Sequence, residues 1–383
     1  VTLLAGSVLS GTGTIQLEGS CRLVVAGDLP GGLRFDLIGS SQLLVSGAIS
    51  PATTINMSGS PTLSLPGTYI VGSSRSAAGQ IISPAVVVAT NATLTASGVS
   101  FPGLVTVEDG AALRLTGGTV SFGTNVLVAA VVRWEVMSST TISLSGVLTN
   151  QGALRWLSRN QAFDLGGSGR VENFGVWEVF VDPSCPGCGT ESLVRVPVNV
   201  PVGGKFLVST GFVNFTQPSS LTVAGELEVQ SGGRLRLDGS SPGRDVTLLA
   251  GSVLSGTGTI QLEGGNRFVL SGDTTLAIGL ADFFGSSSIV SSNTLTIASG
   301  ATVRFDHSST INGPVIVNGT LTLNNASATL RINATLTLNA IGTINNSGIL
   351  SVAAFVNNGG TVNGNAPVVA GLSALRISEI QLL

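Results

Sequence analysis

Charge is what this chain has least of. Charged residues make up 10% of its 383 positions, against about 25% in an average soluble domain. Lys205, His307 and Tyr69 are each the sole residue of their kind. The residues that usually fill helix surfaces are therefore thin, which argues against helical layers. A net charge of −3 supplies no basic field for nucleic acid or an anionic membrane. No apolar run reaches the ~18 residues that a bilayer-spanning helix needs; the longest, near Val126–Val132, stops at Arg133. No starting Met and no signal peptide are seen, so the sequence reads as a mature form or an excised piece. There are three cysteines. Cys21 reads as a buried apolar residue. Cys185 and Cys188 form one CxxC, which lacks the second pair a four-ligand zinc site calls for and the βαβ context of a redox site. A small loop disulfide or two inert thiols are the leading readings, with redox or metal roles behind them.

What is plentiful is glycine, 52 residues of 383, alongside 43% apolar residues. Glycine alone permits disorder, but disordered chains are poor in apolar residues. Val, Thr, Ile and Leu alternate with Ser, Thr and Asn, the pattern of pleated strands with one face buried.

Two repeats organise the chain. Val1–Gly19 reads VTLLAGSVLSGTGTIQLEG, and Val246–Gly264 is identical to it. Gly27-Asp28 and Gly272-Asp273 keep the same 245-residue offset. The shorter period is about 21 residues: Trp134, Trp156 and Trp177 are spaced by 22 and 21, and Phe101 and Phe122 by 21. Asn150-Gln151-Gly152 and Asn173-Phe174-Gly175 precede two of the Trp strands, 23 apart. A sandwich or barrel also has short strands, but it does not return the same aromatic at this interval. A coil of two or three strands per turn does, because each turn lies about 4.8 Å above the last. The expected fold is all-β: a parallel β-helix (β-solenoid), right-handed by the general preference of parallel crossovers, with about 21 residues per coil and essentially no α-helix. Roughly 18 coils follow from the length and period. Trp134, Trp156, Trp177, Phe101 and Phe122 are expected to stack inside it, and Asn150 and Asn173 to form an amide ladder. The expected organisation is one repeat unit over 1–245 with a loop insertion at 182–192, a linker at 240–245, a second divergent unit over 246–372, and an end strand or further domain over 373–383.

The GTGTIQLEG and GAALRLTGG segments and the Asn-x-Gly turns resemble the β-strand repeat regions of large secreted bacterial surface proteins, of the filamentous-haemagglutinin adhesin and autotransporter-passenger kind. The resemblance implies a parallel β-helix, an extracellular or cell-surface location, and adhesion, filament or matrix roles. It brings no catalytic residues, and no recognisable secretion domain, membrane barrel or cell-wall anchor accompanies it here.

Catalysis is not expected. GxSxG, HExxH, Walker and calcium-nonapeptide motifs are absent, and nothing calls for a cofactor or metal. A carbohydrate-processing β-helix would need carboxylates converging on one face. Glu135 and Glu178 each follow a Trp and face outward on related coils; solvated strand charge is the plainer reading of both. Asp306-His307 reads as a surface turn. The runner-up function is a carbohydrate-binding or carbohydrate-processing β-helix that uses surface Trp and carboxylates. The expected partners are further repeats of the same chain or end-to-end copies of it, because Val1 enters directly inside a repeat without a polar cap.

Overall fold

Alternation of large apolar and small polar residues is carried through as alternation of burial. Ala85–Val88 and Ala112–Leu115 each bury every second side chain. The computed structural model describes residues 1–128, 132–136 (backbone pairing only), 140–158, 163–181, 191–216, 219–238 and 245–370. Among them there is no helix, and the protein is a parallel β-solenoid. Two compact units are present: Val1–Leu221 with Gly225–Leu235, and Thr222–Ala224 with Arg236–Leu383. The second 19-residue copy thus begins inside the second unit.

From Leu104 to Val194 each full turn contributes three strands, one to each of three faces, whereas the earlier turns that start at Arg22 and Gln42 carry two strands each and the isolated bridge Leu29–Ile49. One face stacks Ala85–Val88, Leu104–Val107, Val126–Val128, Val147–Asn150, Arg170–Asn173 and Val198–Val200 in parallel register. The next carries Ala112–Leu115, Val132–Val136, Ala153–Ser158, Val176–Val181 and the start of Lys205–Phe215. The third carries Gly118–Phe122, Thr140–Leu144, Phe163–Gly166, Glu191–Val194 and the end of Lys205–Phe215. The second unit repeats the plan. One of its faces aligns Thr302, Thr320, Thr343 and Thr361 in a single outward row over buried Val303, Leu321 and Ile344.

Turn length varies around the expected period. Ala85 aligns with Leu104, Val105 with Val126, Leu148 with Val171, and Val171 with Val198. Among the described residues about 16 turns are present rather than 18, because several turns are longer than 21 residues. Glu191 and Ser192, expected in the loop insertion, belong to the strand Glu191–Val194. Asp245, expected in the linker, opens the strand Asp245–Leu248. Residues 182–190, with Cys185 and Cys188, lie outside the described residues, as do 240–244 and 373–383.

Cys21 is exposed, not buried. Thr2 aligns with Val24, so among the described residues nothing stacks over position 21. Ser41, which holds the equivalent place one turn later, is fully buried.

Candidate functional site

The expected aromatic and amide residues fall in inward columns. Phe101 aligns with Phe122, and their rings stack at 5.5 Å with an 11° interplanar angle. Trp134 aligns with Trp156 along the backbone; its side chain lies outside the described residues. Trp156 and Trp177 are fully buried, which removes both from any outward glycan platform. Trp177 does not sit directly over Trp156. It aligns with Leu154, while Trp156 aligns with Val179. This two-residue slip keeps side-chain parity, so both indoles still face the core and meet edge to face at 4.6 Å and 64°. Phe163 closes on Trp156 at 4.1 Å, and Phe206 on Trp177 at 4.9 Å. The aromatic cluster therefore draws on two faces of the coil.

Asn150 and Asn173 are completely buried at one corner. Asn150 Nδ2 donates to Asn173 Oδ1 at 2.6 Å and to the Val176 carbonyl at 3.0 Å. Asn173 Nδ2 donates to the Lys205 carbonyl at 2.7 Å. Asn150 Oδ1 accepts from Gly152 N, and in the second unit Asn346 Oδ1 accepts from Gly348 N. The Asn-x-Gly pattern is thus a corner in which the amide satisfies backbone groups that the bend removes from the ladder. The glycine matters for closeness: a Cβ on Gly175 would lie 2.0 Å from the Gly152 carbonyl oxygen.

Outward positions carry rows of opposite charge one turn apart, which the search for motifs did not reveal. Arg155 Nε meets Glu178 Oε2 at 2.6 Å, and Ser209 donates to the other oxygen of Glu178 at 2.8 Å. Burial opposes ionisation of Glu178, but those hydrogen bonds and the Arg155 charge outweigh it and hold the carboxyl below its ordinary value. Lys205 bridges Glu226 and Glu228. Its hydrogen bond lowers Glu228 below the usual range, helped by Gln230. Lys205 itself is raised: burial opposes its charge, and the two glutamates more than compensate. Asp245 grips Arg267 through both oxygens at 2.8 Å, and buried Asp282 holds Arg304. Asn56 and Arg34 keep Asp36 ionised below its ordinary value against partial burial. A scan for opposite charges 21 to 23 residues apart would find Lys205–Glu226, Asp245–Arg267, Asp282–Arg304 and Arg155–Glu178.

Glu135 and Glu178 do not share a row. Glu135 aligns with Leu157, and Glu178 aligns with Arg155. The two-residue slip at Trp177 sets their backbone positions in different rows; the Glu135 side chain lies outside the described residues. His307 is exposed, and its Nδ1 accepts a hydrogen bond from Gly285 N at 3.1 Å. Among the described residues no group of three or more His, Cys, Asp or Glu is placed to hold a metal ion.

No family model, curated protein or solved structure matches this chain.

Proposed function

We propose that the chain is an extracellular structural β-solenoid, a surface scaffold, adhesin stalk or filament subunit that presents surface and does not catalyse. One observation carries this reading: the distinctive side chains are spent on joining each turn to the next. The indoles and phenyl rings fill the core, the buried amides close the corners, and the outward ion pairs link adjacent turns. Such a coil gains stability turn by turn, so its reach scales with turn number.

The partners we propose are further solenoid turns, from the same chain or from a second copy. The support is the duplicated segment. Val1 is 86% exposed, whereas its counterpart Val246 is fully covered. Both copies make the same next-turn register, Thr2 with Val24 and Thr247 with Val269. The second copy shows the cover that this segment takes from a preceding turn, and the first copy presents the same segment in the same register.

Antibodies against the purified chain, applied to intact and to permeabilised source cells, test the location. Labelling of intact cells is expected; labelling only after permeabilisation overturns the surface reading. Electron microscopy of native material is expected to show rods or fibres.

A further inference from the structure

The outward arginines described above face acids. Arg331 does not. It projects from the strand Thr329–Asn339, between buried Leu330 and Ile332, with Thr310 aligned on one side and Ser351 on the other. Its Nε donates to Asn333 Oδ1 at 2.7 Å, and Asn333 Nδ2 donates to Asn312 Oδ1 at 2.7 Å. This chain of two amides holds one edge of the guanidinium. Its two Nη nitrogens have no hydrogen-bond partner among the described residues.

The same side chain lines a cleft of about 380 Å³ with Ser288, Ser308, Ser309, Thr310 and Thr329. No carboxylate lines it. Ser309 is 7% exposed, and its Oγ has no partner. It stands at an inward position, aligned with Leu330, where neighbouring turns place large apolar residues. The cleft therefore combines one fixed, unneutralised cation, a free pair of parallel N–H donors, and the hydroxyls of Ser288, Ser308, Thr310 and Thr329, which either donate or accept, while Ser309 Oγ stays on the core side.

We infer that this cleft is an oxyanion-binding site, which takes the carboxylate, phosphate or sulfate group of a small molecule. The Nη edge of a guanidinium matches two oxygens of such a group in a bidentate pair. The surrounding hydroxyls serve its remaining lone pairs. The planar fork distinguishes the site from a point charge: lysine at 331 keeps the charge but loses the paired geometry. The inference is independent of the scaffold reading. A stalk without this site remains a stalk, and a site on a non-secreted solenoid remains a site.

The test is a set of NMR titrations of the full ¹⁵N-labelled chain, read at the Arg331 side chain and the Ser308–Thr310 amides. The probes are inorganic phosphate, sulfate, acetate and galacturonate, with glucose as the uncharged control. At least one anion is expected to saturate with a dissociation constant of roughly 1–10 mM, and the one that binds most tightly identifies the source of the group. Arg331→Gln is expected to weaken that anion about tenfold or more, Arg331→Lys less, and glucose to leave the signals in place. Saturation by none of the anions up to about 100 mM overturns the inference. So does binding that survives Arg331→Gln unchanged, or shifts spread equally over the exposed arginines. Circular dichroism confirms the fold of each variant. Should Arg331→Gln fail to fold, Arg331→Lys decides alone: unchanged affinity for every anion overturns the site.

Discussion

Trp177 carries an indole N–H that finds no acceptor in the core around it. Its value is then volume and ring contact, not hydrogen bonding. Trp177→Phe is expected to cost less than about 1 kcal/mol, since it removes an unsatisfied donor along with some packing. Trp177→Ala is expected to cost about 3–5 kcal/mol by opening a cavity. Guanidinium denaturation of both variants checks the contrast; equal losses would mean that the indole nitrogen is satisfied. Asn173 is the opposite case, because both ends of its amide are used. Asn173→Ala leaves the Lys205 carbonyl without its donor and removes one acceptor from Asn150. A loss of about 1–3 kcal/mol is expected in the same measurement. The carboxylates give a pH dependence with a definite sign. Glu178, Glu228 and Asp36 titrate below their ordinary values of 4.5, 4.5 and 3.8. Their contribution is complete above those values and is lost as pH falls through the lower folded ones. Melting temperature should therefore fall on acidification below about pH 4.5, and Glu178→Gln should flatten part of that slope. The effect is modest, because Arg155 is half exposed and its pair is screened. A variant whose acid profile overlays the parent's would remove Glu178 from this account.

At the scale of elements, the corners decide how closely the turns approach. Gly175 lies so near the Gly152 carbonyl that a methyl group cannot enter without parting two strands. Gly175→Ala is expected to destabilise the first unit by about 1–3 kcal/mol through overpacking. Gly67 is the matching control: a Cβ there would meet nothing within 4 Å, and Gly67→Ala should leave the melting temperature almost unchanged. Equal effects at the two positions would refute the close-approach argument. The same scale explains why the expected Trp column is displaced. Side-chain parity is set inside each strand, but the alignment of strands is set by the chain between them. Between Leu154 and Trp177 that path is 23 residues, one more than between Val132 and Leu154. The indoles stay inside and shift along the strand. The spacing of Trp134, Trp156 and Trp177 announced a stack; which residue lies over which depended on the length of each turn.

At the scale of the whole molecule, nineteen identical residues occur in two surroundings. In the second copy Val246, Leu248, Leu254, Ile260 and Leu262 are buried, and Val253–Leu262 is one continuous strand. In the first copy the strands are Thr2–Leu3 and Thr14–Leu17, with no residue fully covered. Hydrogen exchange read by mass spectrometry should find the amides of 246–264 protected and those of 1–19 exchanging far faster. Protection of 1–19 that grows with protein concentration is the mark of coverage by a second copy. Equal, concentration-independent protection of the two copies would contradict the difference in burial. Much of the molecule was written in its residues: the in–out parity of the strands, the period near 21, the inward aromatics and the corner asparagines all follow from local alternation and turn chemistry. Even Gly27-Asp28 and Gly272-Asp273 act alike, each aspartate accepting a backbone N–H from the following turn at Ala48 or Thr294. The cleft at Arg331 was not legible, because serine and threonine are everywhere in this chain and only the coil brings Ser288, Ser309 and Arg331 side by side. The two-residue slip that sets Trp177 over Leu154 was likewise decided by tertiary structure. Which face a side chain takes depends on its own strand; what lies over it depends on a neighbouring turn some twenty residues away.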